Sequence, residues 1–288
     1  MTEYGFHIKE YPELNRPFFI IGIEGWGNAL NVSKGMISYL IDTLKAEPIG
    51  EINPDLFYRY DEMRPEVEIE AGEMKNISPP GGTFYAARLE GGARDLVLLK
   101  ADEPNLRWFQ FVNDLFGFSE KMNVDTIVTL GSMYDNVLHT DRIISALKTS
   151  DAVFPELEKK NITTVTYQGP GAIHSLINSE GIKQGVRCAS LWCHCPYYLQ
   201  GATHFGLLAH LGALLASLGG FELDIKDLEN SWEQLHTQIQ ELIENSPELQ
   251  TAIQELRKAK VRGSWASMKS TVEGDGNVIS LKDFLEPK

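Results

Sequence analysis

The chain has 288 residues, 43% hydrophobic and 23% charged, and its 26 Lys and Arg against 40 Asp and Glu leave a formal charge of −14. That balance excludes a disordered chain and argues against nucleic-acid backbones and anionic membrane surfaces as main partners, since both would repel it. Neither a basic leader followed by an apolar core nor a run of 18 apolar residues occurs, so the expectation is a cytoplasmic protein with no membrane span. The length suffices for one large domain with an appendage.

The first strong signal is the apolar run Phe18-Phe19-Ile20-Ile21-Gly22-Ile23, which stops at Glu24-Gly25-Trp26-Gly27-Asn28 and passes into a helical pattern at Val32, Met36, Tyr39 and Leu40, with Asn28 or Asn31 as cap. This predicts a buried strand delivering a glycine elbow to a helix N-terminus, the usual site-bearing corner of an α/β sheet. Between Glu47 and Arg88 short apolar runs, among them Leu56 to Tyr60 and Val67 to Glu70, are divided by Pro and Gly clusters and read as meandering strands and loops. Asp95 to Lys100 predicts a fully buried strand, Trp108 to Ser119 a helix, and Thr126 to Leu130 a second buried strand ending at Gly131-Ser132. Residues from there to Arg142 are expected in a loop above the sheet.

Further along, Ser150 is expected to cap a short helix, Thr163 to Tyr167 to form a strand, Gly169-Pro170-Gly171 to open a helix, and Val186 to Cys195 to form a strand ending near Pro196-Tyr197-Tyr198. The helix from about Thr203 to Leu218 is apolar nearly all round and should be covered on more than one side. Stripes at Leu228, Trp232, Leu235, Ile239 and Leu242, and after Ser246-Pro247 at Leu249, Ile253 and Leu256, predict a helical hairpin. The expected organisation is a core domain at 1–223, a hairpin extension at 224–262 and a tail at 263–288 docking through Phe284 and Leu285.

The three cysteines, Cys188, Cys193 and Cys195, make no disulfide framework. In a strand the sulfurs of Cys193 and Cys195 would stand about 6.6 Å apart, wide for one zinc, so they read as small buried residues and no metal is assigned.

Seven segments occur in the order of one known family: Gly25 to Ala29, Phe84 to Arg88, Glu103 to Trp108, Val128 to Gly131, His139 to Arg142, Tyr167 to Pro170 and Ser190 to Trp192. Together they resemble the proteasome assembly chaperone family of the second-subunit type, over residues ~15 to ~260. The resemblance implies a three-layer α/β/α domain of the phosphorylase/hydrolase-like kind, a homotrimer with a C-terminal helical extension, and proteasome-like subunits as partners. Some members are labelled ATP-grasp-like, but neither a Walker loop nor a grasp pattern of carboxylates occurs here. Asp141 is inserted where members read Pro-His-Thr-Arg, Tyr197 replaces a histidine, and the terminus Leu285-Glu286-Pro287-Lys288 departs from the hydrophobic-Tyr-any docking tail of some archaeal members.

The candidate cleft at the strand ends comprises Glu24, Gly25, Trp26, Gly27, Asn28, Gly131, His139, Arg142, Trp192 and Tyr198. For the elbow the readings are a tight turn, a phosphate site or another ligand contact; its third dinucleotide-fingerprint glycine is replaced by Leu30. Glu24 is read as capping loop amides, or as an acid or base of raised pKa. His139, Asp141 and Arg142 suit an anion or proton transfer, or else loop salt bridges and subunit contacts. Both Trp26 and Trp192 read as core packing, or with Tyr198 as walls for a ring-shaped ligand. No catalytic residue or cofactor is assigned. The expected function is an interaction protein of the assembly-chaperone type, the alternative a nucleoside- or phosphate-binding protein or enzyme using the cleft.

Overall fold

The computed structural model describes residues 5–148, 157 and 162–261. Chain order is β1 (Phe6–Ile8), β2 (Phe18–Glu24), α1 (Val32–Leu44), β3 (Glu47–Ile52), a single helical turn α2 (Pro54–Phe57), β4 (Glu66–Glu70), β5 (Glu73–Ser78), β6 (Gly82–Ala87) and β7 (Leu96–Asp102). There follow α3 (Trp108–Lys121), β8 (Thr126–Asp135), β9 (Ile144–Lys148), β10 (Thr163–Thr164), α4 (Ile173–Gln184), β11 (Arg187–Pro196), α5 (Phe205–Gly219), α6 (Lys226–Asn245) and α7 (Pro247–Val261).

Nine strands form one mixed sheet in the order β1-β3-β6-β7-β2-β8-β11-β9-β10, and β4 with β5 forms a separate two-stranded ribbon. At its centre β7, β2, β8 and β11 run parallel. Their apolar runs lack alternation because both faces are covered, as buried parallel strands require. Successive side chains still divide between the faces. Phe18 and Ile20 join Met36 of α1 and Leu207 and Leu211 of α5 in one core, whereas Phe19 and Ile21 join Phe111 and Leu115 of α3 and Ile173 and Ile177 of α4 in the other. Leu228, Ile239 and Leu249 of the C-terminal helices belong to the first of these cores. That arrangement explains why α5 is apolar nearly all round, with α1 on one side and α6 on another.

Three local expectations are corrected, and one strand is added. Leu56 to Tyr60 is no strand, because Asn53 accepts from the Asp55 N–H and Pro54 starts a helical turn. The stretch Gly131 to Asp135 is no loop; β8 continues through it because β11 extends equally far beside it, to the pair Asp135–Pro196. The strand expected over Thr163 to Tyr167 shrinks to Thr163–Thr164. Strand β9, unanticipated, pairs antiparallel with β11. The cap expected at Ser150 and the tail at 263–288 lie outside the described residues.

Candidate functional site

The carboxyl ends of β7, β2, β8 and β11 share one rim of the sheet, and β2 turns off it at the elbow. Gly25 has φ of 153°, and a Cβ there would stand 2.8 Å from Cβ of Glu103, so both conformation and space demand glycine. The helical cap is divided between the two candidates. Asn31 holds the N-cap position in the left-handed region without capping, while Asn28 Oδ1 reaches over the intervening turn and accepts from the Ser33 N–H at 2.9 Å. Ser33, fully buried, accepts from the Ile23 N–H at 3.0 Å and donates to the Leu130 carbonyl at 2.7 Å, tying α1 to β2 and β8. Ser132 completes the seam: its N–H donates to the Gly27 carbonyl and its hydroxyl to the Ala29 carbonyl.

Glu24 does not cap loop amides. It pairs with Lys34, in the first turn of α1, at a half-exposed position. The amide-capping carboxylate is Glu103, which follows β7: Oε1 accepts from the Ile173 N–H at 2.9 Å and Oε2 from the Trp26 N–H at a long 3.4 Å. The N-terminus of α4, where free N–H groups and the helix dipole favour an anion, thus already holds one supplied by the chain. Glu103 has no site assignment from sequence, although its position directly after a buried parallel strand marks it for this rim. Asp102, the register partner of Glu24, has its pKa raised, first by burial and then by Glu24 and Glu66, against the Gly81 N–H and Lys34.

Trp192 closes the inner side. A Cβ on Gly131 would lie 2.8 Å from the indole and one on Gly27 3.0 Å, so both glycines exist to seat this ring. His174, in the first turn of α4, lies against it with centroids 5.0 Å apart and donates from Nε2 to the Leu130 carbonyl at 2.9 Å. Burial lowers its pKa and keeps it neutral. Core packing therefore describes Trp192, but not Trp26, which is 65% exposed because the elbow carries it off the sheet.

The other candidates gather in a second group. His139 is buried; its N–H donates to the Tyr198 hydroxyl at 2.6 Å, its Nδ1 lies 2.9 Å from the same oxygen, and Gln240 Nε2 approaches its Nε2 at 3.2 Å. Arg142 stacks over Trp232 at 6.0 Å. Asp141 accepts from the Leu138 N–H within its own turn. His139 and Arg142 thus both lie against Trp232, and Asp141 bears electrostatically on His139. Trp232 organises the group: His204 stacks on it at 4.9 Å, His236 at 5.5 Å, and His139 lies 6.3 Å away. Burial first, then neighbouring cations and histidines, lowers both His139 and His204 to about 4. Trp232 reads from sequence only as part of a helical stripe, and His204 and His236 carry no site assignment there, since spacing along one helix does not reveal what another presses against it.

Cys193 and Cys195 are buried within β11, and burial pushes the Cys195 thiol, like that of Cys188, to about 12.

Comparison with known proteins gives a consistent result. The PAC2 family profile matches residues 22–243. A crystal structure of a Mycobacterium tuberculosis proteasome-assembly chaperone homologue is similar with a TM-score of 0.75 and 26% identity, over 82% of this chain and 99% of that one. A Mycobacterium tuberculosis protein of unknown function superposes with a TM-score of 0.80 at 19% identity, over 94% of this chain and 93% of that one. Pyrococcus furiosus PbaB, an archaeal proteasome activator, shares the fold with a TM-score of 0.65 at 18% identity, over 84% and 99% of the two chains. No curated protein matches.

Proposed function

The chain belongs to the PAC2 family, and on this premise we propose that it is a cytoplasmic homo-oligomer, in the first instance a homotrimer, of the proteasome-assembly-chaperone type, working through protein contacts rather than by catalysing a reaction. Similarity to the mycobacterial proteasome-assembly chaperone homologue and to the archaeal proteasome activator makes proteasome-type subunits the natural partner class. Helices on both faces of the sheet support placing the fold with the three-layer phosphorylase/hydrolase-like domains, with α6 and α7 as the extension. No described helix is long and apolar enough to cross a membrane.

The observation that carries the reading is the state of the rim. Glu103 occupies the α4 N-terminus and the elbow amide, and Glu24 is matched by Lys34. A rim whose polar groups are already satisfied has little to offer a small polar ligand, while its exposed Trp26 suits a protein surface. Gel filtration with light scattering is expected to give three times the chain mass, and affinity capture from the native host to recover proteasome-type subunits. A monomer would refute the trimer, and capture without such subunits the chaperone role.

A further inference from the structure

Four of the six aromatic side chains exposed among the described residues stand around one short connection, Glu103 to Arg107, between β7 and α3. Trp26 donates its N–H to Glu103 Oε2. Tyr60 follows Arg59, whose N–H donates to Asn105 Oδ1 at 2.8 Å, while the Asn105 and Leu106 N–H groups donate to the Phe57 carbonyl at 3.1 Å. Phe109 lies in the first turn of α3, which the Trp108 indole ties to the Pro104 carbonyl. Tyr167 donates to the Pro170 carbonyl at 2.8 Å on the loop entering α4, whose first N–H is held by Glu103 Oε1. The four rings are 38–77% exposed. Single exposed aromatic residues are ordinary, but several gathered on one rim have the composition of a protein-binding surface.

The charge of this surface selects its partner. Arg59 serves two carboxylates, Asp61 and Glu62, each at 2.7 Å. Lys34 pairs with Glu24, and burial, Glu24 and Glu66 together raise the pKa of Asp102 against the Gly81 N–H and Lys34. Individual carboxylates thus have partners while the sum stays acidic: residues 24–34, 55–66 and 102–107 hold seven acidic residues against four basic ones, Arg64 and Arg107 included.

An acidic segment laid here would meet like charge. A purely apolar one would cover the rings and strip water from the carboxylates between them without replacing it. A guanidinium group answers both features at once, because it stacks on an aromatic face while its N–H groups donate to a carboxylate. We infer that this acidic, aromatic rim receives a basic, arginine-bearing segment of a partner protein, its guanidinium groups stacked on Trp26 and Phe109 and paired with the carboxylates around them. This rests on the protein-contact reading above and names the chemistry of the partner.

The test uses the full chain and a labelled oligo-arginine peptide followed by fluorescence anisotropy. Trp26→Ala/Phe109→Ala removes two exposed rings and no charge, so its circular dichroism should match wild type, while its affinity for the peptide should fall about tenfold or more. Glu233→Gln/Glu241→Gln instead removes two carboxylates from α6, on the other side of the sheet from α3 and α4, and should bind the peptide as wild type does. That pair of results supports the inference, and it does so even where affinity capture recovers no proteasome-type subunit, which refutes the chaperone role alone. Wild type that ignores the peptide, a ring variant that binds it as tightly as wild type, or a carboxylate variant weakened as much as the ring variant overturns the inference. Capture of proteasome-type subunits would then leave the chaperone role standing.

Discussion

Trp232→Ala is expected to cost about 3–5 kcal/mol, the range for truncating a buried large aromatic side chain. The indole is the common wall for His204, His236 and His139, and Arg142 lies over it. Gly206 on α5 brings the helices close enough that a Cβ there would meet the indole at 2.8 Å, so the surrounding backbone is shaped to this ring and has nothing to refill its space. Removing it leaves His204, fully buried and with Nε2 unpartnered among the described residues, facing a void. For a chain of this size the cost corresponds to a fall of roughly 10 °C in thermal midpoint by calorimetry. A loss under about 1 kcal/mol would show that Leu228 and Ile239 alone fasten α6.

Acidification acts on the same cluster. His139 and His204 titrate near 4 in the folded chain, held neutral by burial, against an ordinary value of 6.5. Between those limits the unfolded chain binds more protons, so stability rises with pH: the contribution is complete above about pH 7, shrinks as pH falls through 6.5, and is gone near 4. The difference is worth about 3 kcal/mol for one histidine at ~1.4 kcal/mol per pH unit, and less than double that for the coupled pair. The surrounding charges act in both directions, His236 and Arg257 lowering His139 and Asp141 raising it. Urea midpoints at pH 7, 5.5 and 4.5 should therefore drop steeply in wild type and less so in His139→Gln, whose side chain gains no charge. Parallel slopes in the two proteins would remove the histidines as the cause.

The strands and helices that could be read from sequence were those whose signal is local. Phe18 to Ile23 and Leu96 to Leu99 are apolar without interruption because helices cover both faces, and the turn at Gly25 announces itself by glycine spacing. The stripe through Leu228, Trp232 and Ile239 gave α6 by its period. Strand β9 escaped because Ile144-Ser145-Ala146 is held by its antiparallel pairing with β11, which no short window contains. At the site, the elbow and the shared rim were legible, while the assignments of single side chains were not. Glu24 and Glu103 stand at equivalent ends of neighbouring strands, and which of them caps Ile173 depends on where Lys34 and α4 fall in space. Trp26 reads from sequence as core packing or as a wall of the cleft, and its exposure follows from the φ of Gly25, which sets the chain leaving the sheet there. Val67 and Ile69 alternate with glutamates like any half-buried strand, yet in the tertiary structure both are exposed.

The proposed function requires that Glu103 close the rim to small anions, and that can be read directly. Glu103→Ala removes the carboxylate from the α4 N-terminus and the elbow and exposes two N–H groups to whatever anion is present. In a thermal-shift titration with inorganic phosphate, the variant should melt below wild type and recover with a saturable dose, while wild type shows no saturable shift. Saturable stabilisation of wild type by phosphate, reaching about 2.7 kcal/mol at one hundred times the dissociation constant, would contradict the account and make the rim a ligand site.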